Sequence, residues 1–337
     1  MAQRPLMSQS NVMGEETTGY GEDWHRRLRD IAERRAEQGQ FPVEFIVAES
    51  EAKAEESRCP CHHGPRRYTQ DEVDEVLAEA TRDIAMRVHP VIVLVAGGGA
   101  AGKTVFTRRF KGRLAEKGIT AVEGLELDHY FFPKELVSHR ESDGRYDNPL
   151  NSDLPRVLVH LRVLRGDVSS SNDGPLRIPW HDRDEHELRN QTFVIRDELR
   201  RAQVILVEGL YCLGPDFRDL GDIGIYVDAS PVNRAKGRIW RDMEVRHRPE
   251  DHVASMLMGR ETYHQKFVEP TQCVADYIIR RPPTGGTLKV VYSEDEAWAL
   301  TQACREVGIA EKQAELVQKL KQYMDQKTKE RADKTSY

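Results

Sequence analysis

The sequence predicts an α/β fold in which a parallel sheet carries helices on both faces, and three observations support that prediction. From Val91 onward, short apolar segments alternate with segments of helical periodicity, the pattern of strands joined by crossover helices. A glycine-rich segment, 97–104, separates the first of these strands from the helix that follows. Acidic residues, Asp128 and Glu208, stand at the ends of two later strands, where ligands of such sheets bind.

Local patterns predict the individual elements. Six apolar segments of strand length are predicted as strands: 41–47, 91–95, 120–127, 203–207, 223–227 and 287–292. Helices are predicted where the periodicity is helical: 23–38, 103–117 and 293–331. Thr69 and Glu72 match a capping box that begins a further helix, which ends before Pro90.

Composition and charge restrict the class of protein. The 337 residues hold 50 Lys and Arg against 56 Asp and Glu, a net charge of −6, so no basic excess indicates nucleic acid or an anionic membrane as a partner. The longest apolar stretch, 91–101, is too short to span a bilayer, and the N-terminal residues lack the apolar segment of a signal peptide. Five cysteines suit a reducing compartment. We therefore expect a cytoplasmic protein.

The segment 97–104 reads GGGAAGKT and fits the phosphate-loop pattern G-x-x-x-x-G-K-[ST]. The same letters fit the dinucleotide pattern G-x-G-x-x-G, with Glu123 about 20 positions on as that pattern asks. Lys103 and Thr104 favour the phosphate loop, because they supply the cation and the hydroxyl that a magnesium-bound triphosphate requires. The predicted phosphate-binding residues are Gly97, Gly98, Gly99, Ala100, Ala101, Gly102, Lys103, Thr104 and Val105.

Six motifs in order resemble those of the uridine kinase and phosphoribulokinase family. They are GGGAAGKT, LDHYFF, YDNP, VILVEGLY, YVDASPVNRAKGRIWRDMEVRHR and FVEPTQCVADYII, and they extend from about Val91 to Ile279. The resemblance implies a P-loop NTPase fold of the nucleoside-kinase type with an arginine-rich lid at about 232–265. It also implies an activity, transfer of the γ-phosphate of ATP to a hydroxyl of a small molecule.

The resemblance assigns roles to several residues. Asp128 is the implied catalytic base, although an aspartate after a strand also serves as a turn or helix cap. Thr104 and Glu208 are the implied Mg²⁺ ligands. The resemblance also implies catalytic roles for Lys103, Arg238 and Arg241. It implies that Arg246 and Arg248 bind the nucleotide. For any single arginine of this segment, an ordinary ion pair on a helix surface remains open.

The acceptor residues follow the resemblance less closely. The implied set is Tyr130, Asp147, Trp180, His181, Arg183 and His186, and Asp147 of YDNP would bind vicinal ribose hydroxyls. Family members that act on nucleosides read the pyrimidine with Y-D-F-x-x-H-x-R. Here Ile178 stands at the tyrosine position, and the histidine is His181 or His186. Uridine, cytidine or a related ribose compound is the leading acceptor.

Two alternatives for the function stay open. Arg145, Arg177 and Arg183 could hold the phosphate of a sugar-phosphate acceptor, as in a phosphoribulokinase. A protein of another class would keep the loop to bind nucleotide and use its terminal segments to engage a partner. Asp128 and Glu208 favour catalysis, because a nucleotide sensor has less need of a base. Members of the resembled family often form dimers or tetramers, so a homo-oligomer is compatible with the sequence.

Composition divides the chain into three parts: a polar N-terminal extension, 1–66; the kinase domain, 67–292; and a helical C-terminal extension, 293–337. In the first part, Cys59, Cys61, His62 and His63 offer four potential metal ligands within five residues. Adjacent residues cannot all converge on one tetrahedral ion, and no second pair completes a site. An exposed loop is therefore favoured over a zinc site, and both interpretations stay open.

Overall fold

The structure is a computed structural model that describes residues 12–48, 51–58, 66–88, 90–132, 148–167, 175–180, 192–249, 253 and 260–281. Its strands are β1 (Val43–Val47), β2 (Arg67–Tyr68), β3 (Val91–Gly97), β4 (Val122–Glu126), β5 (Arg177–Trp180), β6 (Thr192–Ile195), β7 (Val204–Glu208), β8 (Ile223–Ala229) and β9 (Tyr277–Arg281). The predicted strand 287–292 and helix 293–331 lie outside the described residues, as do Cys59, Cys61, His62 and His63.

The α-helices of the described residues are α1 (Val12–Glu37), α2 (Glu51–Arg58), α3 (Gln70–Ala85), α4 (Lys103–Glu116), α5 (Leu154–Arg165), α6 (Pro231–Trp240) and α7 (Arg260–Tyr263). Short 3₁₀ segments include Leu127–Tyr130 after β4 and Glu269–Val274 before β9. Two π-helical segments, Arg241–Val245 and His264–Val268, continue α6 and α7. Among the described residues, no helix combines the length and the apolar character that crossing a bilayer requires.

Seven strands form one parallel sheet in the order β2-β1-β9-β8-β3-β7-β4. This arrangement confirms the predicted α/β class and the five predicted strands that the structure describes. β5 and β6 form a separate antiparallel pair that the sequence did not predict. β3 lies between β8 and β7, so the residues that follow β3 lie in the interior of one edge of the sheet.

Helices cover both faces of the sheet because β3 is apolar on both sides. Val91, Val93 and Val95 belong to the cluster that includes Phe106 and Phe110 of α4. The alternate residues of β3, Ile92, Leu94 and Ala96, belong to the cluster on the opposite face. The residues of α1 and α5 in that cluster include Trp24, Leu28, Val157 and Leu161. All residues from Val91 to Ala96 are fully buried. Each of the larger side chains contributes roughly 1.5–3 kcal/mol through burial, which holds the end of β3 in place.

α3 begins at the capping box that the sequence predicts. The amide of Glu72 donates to Oγ1 of Thr69 over 3.2 Å, and the amide of Thr69 donates to Oε2 of Glu72 over 2.7 Å. Such a cap stabilises a helix by about 1 kcal/mol. It places Gln70, the first residue of α3, beside the end of β1.

Part of the predicted N-terminal extension packs on the kinase domain. α1 begins at Val12 rather than at residue 23, because the apolar spacing used for the prediction starts only where the helix meets the core. Trp24 is fully buried, with its ring 6.3 Å from that of Tyr211 and 5.9 Å from that of Phe267. β1 pairs with β9 through four residues. The boundary at residue 66 stays a prediction.

Candidate active site

The phosphate loop connects β3 to α4 at the centre of the sheet edge. Gly97 has a φ of +144°, and a Cβ there would lie 2.2 Å from the carbonyl oxygen of Val227 on β8, so only glycine fits. Gly102 has a φ of +96° and begins α4 from the left-handed region. The amides at the start of a helix have no intrahelical partner and attract anions. The loop therefore has the geometry of an anion-binding cradle.

Lys103 closes this loop upon itself. Its ammonium donates to the carbonyl oxygens of Gly97 and Gly98, each over 3.0 Å. Burial lowers the pKa of Lys103, whereas the charges of Glu208 and Asp128 raise it. These effects require both acids to lie near the lysine, and the structure thus brings the three predicted catalytic and metal-binding residues together. A bound polyanion would add further negative charge and favour the protonated lysine.

The acids belong to adjacent strand ends. Glu208 ends β7 and lies in register with Val95 of β3, and Asp128 lies in the 3₁₀ segment directly after β4. One carboxylate oxygen of Glu208 accepts a hydrogen bond from Thr104, and the other accepts one from Thr107 over 2.9 Å. Burial raises the pKa of Glu208, and the charge of Lys103 opposes that rise.

The hydroxyl of Thr104 and the carboxylate of Glu208 fit a Mg²⁺ site. Mg²⁺ prefers oxygen ligands and commonly uses one or two protein groups, with waters and phosphate oxygens as the rest. The two residues already lie within hydrogen-bonding distance at the start of α4.

Three side chains from α6 and the segment after α7 cover the outside of the loop. Arg238 donates from Nε to the carbonyl oxygen of Gly99 over 3.3 Å. A Cβ on Gly99 would lie 1.9 Å from Nη2 of Arg238, and one on Gly98 would lie 2.4 Å from Cδ of Arg234 and 3.0 Å from Cε1 of His264. The glycines therefore admit cationic side chains directly against the loop backbone.

The other predicted arginines are organised by one carboxylate. Asp242 is buried and accepts hydrogen bonds from Arg241 over 3.0 Å and from Arg246 over 3.1 Å. The backbone amide of Arg248 donates to the backbone carbonyl oxygen of Asp242 over 2.8 Å. Burial would raise the pKa of Asp242, but the Arg241 hydrogen bond and the charges of Arg241, Arg248 and Arg246 lower it overall. Of the four, Arg238 contacts the loop through its hydrogen bond to Gly99.

The acceptor residues have different outcomes. Tyr130 is completely buried, and its hydroxyl lies 2.7 Å from Nδ1 of His160, so it is a core residue and not part of the acceptor surface. The side chain of Tyr130 points into the core, where the 3₁₀ segment after β4 packs on α5. Trp180 is 41% exposed and stacks on His129, the neighbour of Asp128, with ring centroids 4.3 Å apart. The remaining predictions, Asp147, His181, Arg183 and His186, lie outside the described residues, as does Arg145.

The structure adds functional residues that sequence reasoning missed. Thr107, one helical turn after Lys103, holds Glu208. Arg234 is buried and His264 is 8% exposed, and both contact the loop. The helical spacing of Arg234 and Arg238 on α6 could have indicated a shared face. Nothing in the sequence around His264 indicates its position. Val105, by contrast, is 53% exposed on α4.

A phosphate loop with two strand-end acids on one side and an arginine helix on the other defines a P-loop phosphotransferase. Residues 92–287, more than half of the chain, match the model of the phosphoribulokinase / uridine kinase family. The protein belongs to that family. It is an enzyme of the kinase class, which transfers a phosphoryl group to a hydroxyl of a small molecule.

Two uridine kinases and one solved structure are similar to much of this chain. A uridine kinase from Streptococcus gordonii is 33% identical over 61% of this chain and 91% of its own length. A uridine kinase from Oceanobacillus iheyensis is 32% identical over 58% of this chain and 88% of its own length. A solved structure described as a possible uridine kinase from Bacillus stearothermophilus is 18% identical, with a TM-score of 0.42, and covers 62% of this chain and 100% of that one.

Proposed function

We propose that the protein phosphorylates a hydroxyl of uridine or cytidine with MgATP, in the cytoplasm, where both substrates are present. One observation supports the chemistry above the others. The acids at the ends of β4 and β7 lie near Lys103, and Glu208 is hydrogen-bonded to Thr104 of the phosphate loop. A hydroxyl acceptor and a metal-bound triphosphate need these groups side by side.

Each residue then has a role in the transfer. Asp128 accepts the proton of the acceptor hydroxyl, whose oxygen attacks the γ-phosphorus as the bond to the β–γ bridging oxygen breaks. Lys103 exchanges its bonds to the Gly97 and Gly98 carbonyls for phosphate oxygens. Thr104 and Glu208 would hold Mg²⁺, which would neutralise phosphate charge. Arg238, already against Gly99, donates to the transferred phosphoryl group.

Two observations support uridine or cytidine as the acceptor: the identity of the relatives and an aromatic surface near Asp128, the proposed catalytic base. Both uridine kinases above align over almost their whole lengths. The His129–Trp180 stack lies next to Asp128 in the chain and offers a flat surface for a pyrimidine. Asp147 is proposed to bind the ribose hydroxyls.

One observation favours this proposal over the regulatory alternative. A nucleotide sensor that does not transfer phosphate has less need of a base, and Asp128 lies near Lys103. Of the arginines that would serve a sugar phosphate, Arg177 is exposed on β5, and Arg145 and Arg183 lie outside the described residues.

An acceptor panel tests the proposal directly. ADP release is measured with saturating MgATP and uridine, cytidine, adenosine, ribulose 5-phosphate or no acceptor. We expect uridine or cytidine to raise turnover at least about 10²-fold over the rate without acceptor, the scale of a positioned base. Turnover with ribulose 5-phosphate alone would support the sugar-phosphate alternative. Slow hydrolysis with every acceptor would support the regulatory one.

Asp147→Ala tests the ribose contact. Loss of a charged hydrogen-bond acceptor for two hydroxyls is expected to raise the uridine KM about tenfold or more while the ATP KM changes less than about twofold. Asp219→Ala, at an exposed position in the 3₁₀ segment before β8, is the matched control. An unchanged uridine KM would place the ribose elsewhere.

A further inference from the structure

A cavity of about 450 Å³ lies on the side of the phosphate loop away from the acids. Asp128 and Glu208 follow β4 and β7, whereas the cavity is bordered by residues that end β1, β8 and β9. The third wall is the loop itself, at 100–102. Cavities of this size hold small organic ligands. The phosphate loop therefore separates two sites with different surroundings.

The position of this cavity restricts what it can hold. A triphosphate in the loop, with its terminal phosphate at Asp128 and Glu208, runs along 97–104 toward the opposite flank. Whatever is attached to the first phosphate then emerges beside β8 and β9. This inference rests on the proposed function, because it takes the orientation of the triphosphate from the acids.

The lining combines apolar, polar and cationic groups, and the cations are Arg109, Lys236 and Arg281. Val47 and Ala48 at the end of β1 and Ala229 at the end of β8 supply aliphatic surface. Gln70 and Asn233 supply amide groups. A flat heterocycle needs both, since its faces bury against aliphatic groups and its edge forms hydrogen bonds. A phosphate ion would make no use of the aliphatic side.

Gln70 is held in place by a chain of hydrogen bonds. Its Nε2 donates to Oδ1 of Asp74 over 2.9 Å, and its Oε1 accepts from Nη2 of Arg281 over 3.2 Å. The second oxygen of Asp74 accepts from Arg109 over 2.7 Å. Asp74 is only 2% exposed. Burying a carboxylate costs free energy unless its oxygens accept hydrogen bonds. Both oxygens of Asp74 do so, from Gln70 and from Arg109.

The amide retains capacity for a ligand. One Nε2 hydrogen and one Oε1 lone pair of Gln70 remain after the two bonds to Asp74 and Arg281. An amide pairs in a bidentate manner with the adjacent donor and acceptor on adenine, which guanine presents in a different pattern. Nε of Arg281 is buried and has no hydrogen-bond partner among the residues that the structure describes. The guanidinium also lies beside Gly102, 3.1 Å from the position of a Cβ there.

We propose that this cavity receives the nucleoside of the phosphate donor and that Gln70, positioned by Asp74 and Arg281, reads the base as adenine. Gln70, Asp74, Val47 and Ala48 all precede residue 92, where the match to the family model begins. The N-terminal segment of this chain is therefore part of the donor site. Gln70 is a specificity-determining residue for the donor.

Binding of three probes to the full-length protein tests the proposal. The probes are the non-hydrolysable ATP analogue AMP-PNP, its guanine counterpart GMP-PNP and inorganic triphosphate, each with Mg²⁺, measured by calorimetry without acceptor. Gln70→Ala is expected to weaken AMP-PNP about 5-fold to 30-fold, the effect of one or two hydrogen bonds, and to leave inorganic triphosphate within about twofold. The preference for AMP-PNP over GMP-PNP is expected to fall by a similar factor.

Two further variants make the test robust. Gln38→Ala removes an exposed glutamine at the end of α1 and should change no affinity. Ala48→Phe fills the cavity without touching the hydrogen-bond network and should weaken AMP-PNP at least as much as Gln70→Ala does. Thermal unfolding of each variant without ligand shows that it folds.

Several results would overturn the proposal. Unchanged AMP-PNP affinity in both folded cavity variants would remove the nucleoside from the cavity. A parallel loss of inorganic triphosphate would mean that the cavity binds phosphate, and an unchanged base preference would deny Gln70 its role. Because no acceptor is present, a failure to phosphorylate uridine would count only against the proposed function.

Discussion

The two flanks of the phosphate loop are built by different means. The acid flank consists of Asp128, Glu208, Thr104 and Thr107. Its acids follow adjacent strands of the sheet, and hydrogen bonds between Glu208 and the two threonines hold the carboxylate. The sheet register thus sets the position of this flank.

The cationic flank consists of Arg234 and Arg238, together with His264, whose imidazole is neutral because burial and the neighbouring charges lower its pKa to about 2. It is held by close packing on Gly98 and Gly99, where no Cβ could stand without displacing a side chain. The loop glycines therefore serve two purposes. Gly97 allows a backbone conformation with positive φ, and Gly98 and Gly99 leave room for the side chains that pack on the loop. The acid flank should therefore tolerate changes in the loop backbone that disrupt the cationic flank.

The largest effect is expected on the acid flank. Asp128→Asn keeps the size of the side chain and removes the base, so kcat should fall at least about 10²-fold while the affinity for AMP-PNP stays within about twofold. Stopped-flow or steady-state turnover and calorimetry measure the two quantities. Asp167→Asn, at an exposed position after α5, is the control. An equal loss of nucleotide affinity would make Asp128 a structural residue.

The cationic flank should respond to a methyl group placed on the loop. Arg238→Gln removes a charged donor and should lower kcat about 10-fold to 100-fold. Gly99→Ala should lower kcat by a similar factor, because the added Cβ takes the position of the guanidinium. The double variant should resemble either single one, since both changes remove the same contact.

Gly112→Ala supplies the matched control for that pair. It lies on α4, where an added Cβ meets nothing within 4 Å, so kcat should not change and the helix should gain about 0.5–1 kcal/mol. If the effects of Arg238→Gln and Gly99→Ala multiplied in the double variant, the two residues would act independently and the packing description of this flank would fail.

A smaller effect is expected from one hydrogen bond of the acid flank. Thr107→Val conserves shape and removes a donor to Glu208, and kcat should fall about threefold to tenfold. Burial already raises the pKa of Glu208, and the Thr107 bond lowers it. The variant should therefore move the acidic limb of the pH–rate profile to higher pH. A limb that stays in place would show that ionised Glu208 is not required.

The smallest effect on activity is expected away from both flanks. Burial lowers the pKa of His160, the partner of Tyr130, from 6.5 to about 4. Because the folded pKa lies below the unfolded one, the neutral histidine contributes stability above pH 6.5 that is lost as the pH falls through 4. Wild-type Tm should therefore fall more steeply between pH 6.5 and 4 than that of His160→Gln, with kcat equal at pH 7.5. Parallel curves would contradict the assignment.

Local signals explain what the sequence could predict. The strand around Val91, the capping box at Thr69 and the loop before Lys103 each depend on residues close together in the chain. The acids at Asp128 and Glu208 were predictable because parallel strands bring their ends to one edge of the sheet.

Long-range packing explains the rest. Tyr130 lies two residues after Asp128, the proposed base, yet its side chain points into the core, where its hydroxyl lies beside His160. His264 reaches the loop across 166 positions from Gly98, and Gln70 meets Arg281 across 211. No periodicity or motif encodes such separations, so a single sequence could not predict these contacts.

The pairing of β1 with β9 also bears on the solubility of the enzyme. A sheet that ended at β9 would present the apolar residues Ile278 and Ile279 on a strand with unpaired backbone groups, which is a template for intermolecular association. In the described sheet β1 instead pairs with β9, and β2 pairs with Ile46 and Val47 at the end of β1. The backbone groups of β9 are therefore covered by a segment that precedes the part of the chain matched by the family model. The N-terminal segment thus lowers the tendency of β9 to pair with another molecule.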